Sequence, residues 1–149
     1  MLLKLLPTQI SRYWDLVKIA VHGSLPPGTI TPEREHFLLQ SLMEGKGQVW
    51  VVPGDSTGSR VRAMLITTDY TDDITQTKDF LVYATYSFIP VPDEIWKRVE
   101  EDLQKIAKAA GCDRIVAFTD EPRVIELMEL FGYDSSYRFM VKEINNGER

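Results

Sequence analysis

Residues 80–119 constrain the fold more tightly than any other stretch of the chain. Phe80–Phe88 (FLVYATYSF) is apolar or aromatic at nearly every position, and Arg114–Thr119 (RIVAFT) is a second such run. Between them Ile95, Val99, Leu103, Ile106 and Ala110 recur at spacings of three and four, with Trp96 and Ala107 widening the stripe. A short apolar run bounded by turn residues reads as a buried strand, and a 3.6-residue period reads as a helix with one apolar face. Strand, long helix and strand in succession form a crossover, which joins parallel neighbours in one sheet. Gly111 supplies the helix with a C-terminal cap.

Upstream, the pattern is of a different kind. The apolar start Met1–Leu6 reads as a strand, ended by Pro7. Tyr13, Leu16, Val17, Ala20 and Val21 carry a helical period up to His22–Gly23, and Gly23–Gly28 is a loop by composition. Thr31 followed by Pro32 is an N-cap with proline at the first helical position, and that helix directs Phe37, Leu38, Ser41 and Leu42 to the core before Gly45–Gly47. Gln48–Val52 and Arg60–Thr68 are strand-like around the turn-rich Pro53–Ser59, which predicts an antiparallel hairpin. A polar loop, 69–79, precedes the central strand. After the crossover, Glu121–Phe131 reads as a helix closed by Gly132, Arg138–Ile144 as a last strand, and 145–149 as a polar tail. The expected fold is α/β, one domain over 1–149, with a mixed, mainly antiparallel sheet and four helices in the order βααβββαβαβ.

Composition removes several functions. The chain has 149 residues and a formal charge of −5, and its acidic excess falls late: residues 91–149 hold 9 basic and 13 acidic side chains. No segment is basic enough to neutralise a nucleic-acid backbone, and an acidic membrane surface is disfavoured for the same reason. The single cysteine, Cys112, excludes an intramolecular disulfide and a cysteine-rich zinc site, and points to a reducing interior. Met1–Leu6, broken by Lys4, is too short for a signal peptide or a membrane span. The expected location is cytoplasmic.

The order of elements resembles that of the GNAT superfamily of N-acetyltransferases over essentially the whole chain. The most specific local match is Glu121–Tyr133 (EPRVIELMELFGY), set against a family pattern like Asn-x-x-Ala-x-x-Leu-Tyr-x-x-x-Gly-Phe: Leu127, Gly132 and the aromatic Tyr133 agree. The long helix, the Ala110-Gly111-Cys112 turn and the strand after it also fall where that family places them. The resemblance implies binding of acetyl-coenzyme A through a glycine-rich loop between the fourth strand and the third helix. There, free amide donors and the positive helix end hold the pyrophosphate.

In this chain the corresponding loop reads Phe88-Ile89-Pro90-Val91-Pro92-Asp93-Glu94 and holds no glycine. Pro90 and Pro92 have no amide hydrogen to donate, and Asp93 and Glu94 put negative charge where the pyrophosphate would sit. Other family positions depart as well. Met128 stands where many members carry the tyrosine that protonates the departing thiolate, and a thioether has no proton to give. Phe80–Phe88 contains no carboxylate base, and Glu121 replaces the usual asparagine.

The remaining candidates have simpler readings. His22 and His36 lack a partner at metal-ligand spacing, and Ser24 and Ser87 sit in no nucleophile elbow. Gly45-Lys46-Gly47 lacks the Ser/Thr of a phosphate loop and leads from helix to strand, which makes it a turn. Asp69, Asp72, Asp73 and Asp79 lack the spacing of a calcium loop, and Trp14, Trp50, Trp96, Tyr83 and Tyr86 read as packing.

Two functions stand on this reading. The first is a GNAT-like domain with a degenerate coenzyme loop, no catalytic residue, no metal and no cofactor, acting through protein partners. Small domains of this type are encoded by tailed bacteriophages, some as particle components, and the IPDEIW-type helix start with the GCDRIVAFTDEPRVIEL run is similar to theirs. The alternative is an active N-acetyltransferase that binds acetyl-coenzyme A through the strand backbone at Ser87, Phe88 and Ile89.

Overall fold

The computed structural model describes residues 2–26, 28–55 and 60–144. The expected tail at 145–149 and much of the expected turn at 53–59 lie outside the described residues. The chain divides into two compact units, 1–117 and 118–149.

The first unit contains a five-stranded sheet in the order β1-β2-β3-β4-β5. The strands are β1 (Leu3–Lys4), β2 (Gln48–Pro53), β3 (Val61–Thr71), β4 (Lys78–Ser87) and β5 (Arg114–Ala117). The first three pairings are antiparallel and β4–β5 is parallel, as the crossover predicts. Four helices belong to this unit: α1 (Pro7–Ile10), α2 (Trp14–Ser24), α3 (Pro32–Met43) and α4 (Asp93–Ala109). The second unit holds α5 (Pro122–Leu130), capped by Gly132.

The expected first helix is interrupted by a 3-10 turn at Ser11–Tyr13. The tighter turn changes the helical phase, and Ile10 of α1 is buried together with Val17, Ala20 and Val21 of α2. In α3 the inward stripe runs through the buried Leu42 and the half-buried Leu38 and Leu39. Phe37 lies about 100° from Leu38 around the helix and is 65% exposed, which corrects its expected place in the core. Strand β1 shrinks to two residues because the chain turns into α1 at Pro7.

The expected strand at Arg138–Ile144 is the larger correction. These residues join no ladder, so the observed order of elements ends at α5. An alternating sequence can favour extended backbone, but a strand exists only where a neighbour supplies hydrogen-bond partners.

The sheet has an apolar cluster on each face. On one, Val49, Val51, Met64, Ile66 and Ala84 pack with Val17, Ala20 and Val21 of α2. On the other, Val52, Ala63, Leu65, Phe80 and Val82 pack with Val99, Leu103 and Ala107 of α4. Thr67, fully buried in β3, is satisfied inside the sheet: the Trp50 indole N–H donates to its Oγ1 at 2.8 Å, and its hydroxyl donates to Gln48 Oε1 at 3.3 Å. Thr67→Val keeps the shape but leaves the indole donor without that acceptor. It is expected to cost about 1–3 kcal/mol, read as a lower urea midpoint at unchanged slope, whereas Thr67→Ser is expected to retain most of the stability.

Candidate functional site

Strands β4 and β5 are clamped at one end and part at the other. At the clamped end the Arg114 guanidinium donates to both carboxylate oxygens of Asp79, each at 2.8 Å, and Asp79 is only 8% exposed. The Lys78 amide donates to Asp113 Oδ2, and the Asp113 amide to the Lys78 carbonyl. The parallel ladder then runs from Asp79↔Arg114 to Val82↔Ala117 and stops. Beyond it, β4 continues through Tyr83–Ser87, paired with β3 and, among the described residues, with no strand on its other side.

The ladder ends beside a β-bulge. Across β3, Thr67 faces Val82 and Ile66 faces Ala84, so Tyr83 is one residue too many. An extra residue bends the strand and reverses which face each later side chain takes. Phe80 and Val82 accordingly pack toward α4, whereas Ala84, Tyr86 and Phe88 pack toward α2 on the other face. Burial pushes the Tyr83 phenol above its ordinary pKa, so it stays protonated at neutral pH. Because Phe80–Ala84 is apolar at every position, the sequence carries no break in alternation that would mark this bulge.

The loop after β4 folds onto Arg62 of β3. The amides of Phe88 and Ile89 both donate to the Arg62 carbonyl, at 2.8 and 3.2 Å, and the Arg62 guanidinium donates back to the Pro90 carbonyl at 2.8 Å. Within 88–92, Pro90 and Pro92 lack N–H, and Val91 is the one residue whose amide is neither missing nor directed at Arg62. Asp93 and Glu94 occupy the first turn of α4. Because strand amides alternate in direction, Ser87 points its N–H to the side away from β3, the side on which β5 has already ended.

Part of that open edge is taken by α2. The Ser24 hydroxyl, at the end of the helix, lies 2.8 Å from the Thr85 carbonyl and 2.6 Å from the Ala20 carbonyl of its own helix. Gly23 makes the approach possible. A Cβ there would sit 2.3 Å from the Tyr86 ring, and that ring is further held edge-on to Phe88 at 5.1 Å. Arg62 as the loop's anchor and Gly23–Ser24 as a cover on β4 come from elements distant in sequence, and no local motif marks them.

The other candidate residues are dispersed. His22 Nε2 lies 2.9 Å from Glu35 Oε2, and these two line a shallow hollow of about 490 Å³ with Asp15, Lys18 and Ile19. His36 lines a second, of about 380 Å³, along α3 with Leu39, Gln40, Met43 and Glu44. Gly45–Gly47 is the predicted turn. Gly45 has φ +80°, and the amides of Gly45 and Lys46 return to Leu42 and Ser41 of α3, which leaves neither amide for a phosphate. Asp72 caps the amides of Ile74 and Thr75 in the β3–β4 turn. Burial and the nearby Asp69 charge push the Cys112 thiol upward, away from the reactive thiolate. Met128 is half-buried in α5. Among the described residues no three His, Cys, Asp or Glu side chains are grouped to hold a metal, and no helix is long and apolar enough to cross a membrane.

Neither a protein-family model nor a curated protein sequence matches the chain. Solved structures do. A predicted acetyltransferase from Clostridium acetobutylicum, solved with acetyl-CoA, superposes with a TM-score of 0.70 at 13% identity, over 97% of this chain and 95% of that one. A ribosomal-protein-alanine N-acetyltransferase from Brucella melitensis biovar Abortus 2308 gives 0.68 at 13% identity, over 97% and 99%. A transcriptional regulator from Bacillus halodurans C-125 gives 0.70 at 12% identity, again over 97% and 99%. The fold is the mixed α/β fold of the GNAT acetyltransferases.

Gly23→Ala tests the seat of α2 on β4. Its methyl must displace the Tyr86 ring, and a loss of about 1–3 kcal/mol is expected by denaturant unfolding. Removing the ring in Tyr86→Leu is expected to make the same glycine substitution markedly less costly, as a double-mutant cycle would show.

Proposed function

We propose that this chain uses the GNAT fold as a scaffold without transferring acyl groups from coenzyme A, and works through protein contacts in a larger assembly. A bacteriophage particle is the assembly to which the sequence resemblance points. The observation that carries this reading is the state of the loop between β4 and α4. A pyrophosphate needs several amide donors aimed outward and no opposing charge. Here two donors are proline, two are spent on the Arg62 carbonyl, and two carboxylates follow in the first helical turn. Met128 in place of a phenol, and the absence of a carboxylate along β4 beyond the paired Asp79, agree with a site that has lost its acid and base as well.

One observation favours the alternative, an active N-acetyltransferase using acetyl-coenzyme A. The parting of β4 from β5 leaves an open strand edge, with the Ser87 amide directed to it, beside which an acyl chain could lie. Of the three residues that this alternative relies on, Phe88 and Ile89 already have their amides occupied, and the Ser24 hydroxyl reaches the neighbouring Thr85 carbonyl.

Calorimetry with acetyl-coenzyme A separates the two. No saturable binding is expected below about 1 mM, equivalent to roughly −4 kcal/mol, and a dissociation constant near 1 μM, about −8 kcal/mol, would overturn the proposal. Replacing the loop's obstacles together (Pro90→Gly, Pro92→Gly, Asp93→Gly, Glu94→Lys) is expected to strengthen coenzyme binding by about tenfold or more, or 1.4 kcal/mol. An unchanged affinity in a folded variant would refute the account of why the loop is silent.

A further inference from the structure

We infer that the far end of the β3–β4 hairpin is a docking edge for an extended, basic segment of a protein partner. Strand β2 stops at Gln48, opposite Thr67, while β3 runs on to Thr71 with β4 beside it. At the turn the Asp72 amide donates to the Thr77 carbonyl, which sets the alternation that follows. Thr68 and Tyr70 direct their backbone groups to β4, and Asp69 and Thr71 direct theirs to the side that β2 has left. Lys78, opposite Thr71, obeys the same alternation: its amide and carbonyl both bond to Asp113 on the outer side of β4. Among the described residues no strand of the first unit pairs with the outward groups of Asp69 and Thr71, and the Thr68 hydroxyl reaches the Asp69 carbonyl only at 3.5 Å.

Natural sheets blunt such an edge with lysine, proline or a bulge. Thr68-Asp69-Tyr70-Thr71 has none of these and includes strand-favouring Thr and Tyr. Tyr70 is 56% and Ile74 93% exposed, which offers an added strand apolar contact beside its backbone hydrogen bonds. Charge identifies the occupant. Between Arg62 and Lys78 the chain holds Asp69, Asp72 and Asp73 and no basic residue. Lys78 itself turns inward, with its ammonium donating to the Ala110 carbonyl at 2.6 Å and lying 3.8 Å from Asp69. A second copy joined through the same edge would set these aspartates against their own counterparts, which like-charge repulsion opposes. A strand carrying Lys or Arg meets them with attraction. The inference rests on the proposed protein-contact role and gives the partner in it a chemistry.

The test uses the full chain and two end-blocked synthetic peptides, one of alternating Lys and Val and one of alternating Glu and Val. Calorimetry is expected to show saturable binding of the lysine peptide below about 1 mM, with slowed amide exchange at Asp69 and Thr71, and no binding of the glutamate peptide. N-methylating every backbone amide of the lysine peptide keeps its charge but removes its donors, and is expected to weaken binding by about tenfold or more. Thr71→Pro removes an outward N–H at a position not bonded to β4 and is expected to weaken it similarly. The N-methylated peptide keeps the inference testable if that variant does not fold. Equal binding of the plain and N-methylated peptides, or of the two charge types, would overturn it. So would Asp69 and Thr71 amides already protected from exchange in the free chain. Coenzyme calorimetry is read separately: failure here with no coenzyme bound removes the docking edge alone, whereas coenzyme binding removes the scaffold reading.

Discussion

The ladder between β4 and β5 governs the structure's functional geometry, because it is strong at one end and absent at the other. The bidentate Arg114–Asp79 pair and the reciprocal Lys78–Asp113 hydrogen bonds fix where the two parallel strands begin. The bulge at Tyr83 then turns β4 as the ladder stops. A parallel neighbour cannot follow a strand that has bent and reversed its faces, so the strands part after Val82 and Ala117. Beyond them β4 has backbone groups that, among the described residues, face no neighbouring strand on that side.

What occupies that edge is the same chain. Ser24 reaches the Thr85 carbonyl from the end of α2, Gly23 lets the helix lie against the Tyr86 ring, and the loop after β4 spends its amides on Arg62. The Ser24 and Arg62 contacts each give a backbone group a hydrogen-bond partner within the chain. Asp93 and Glu94 complete this self-satisfaction at α4, since they complement the helix dipole that would attract an anion. Fold and function are separable in general, since the same architecture is found in acetyltransferases and in a transcriptional regulator.

Much of the fold was legible because its signals are local and periodic. The stripe Ile95–Ala110 became α4 with Val99, Leu103 and Ala107 buried, and Thr31-Pro32 became the start of α3, with the Thr31 hydroxyl accepting from the Arg34 amide. Glycine at the ends of α3 and α4 adopts positive φ, which L side chains resist, and these two turns end the helices where the sequence placed them. Where reading failed, a non-local partner decided. Phe37 was assigned to the core although the leucine stripe of α3 faces elsewhere, and 138–144 was assigned to the sheet although nothing in its own residues supplies a neighbouring strand.

For the candidate site the division is sharper. The sequence by itself determined the residue types available there: two prolines without N–H, two carboxylates at the helix start, and a thioether at position 128. These are properties of residue type, and no folding could alter them. Only the tertiary structure decided that the surviving amides of Phe88 and Ile89 are directed to Arg62, that α2 reaches the open edge of β4, and that Tyr83 is the residue at which the strand turns. Those facts depend on pairings between residues 15 to 61 positions apart, beyond the reach of a local motif.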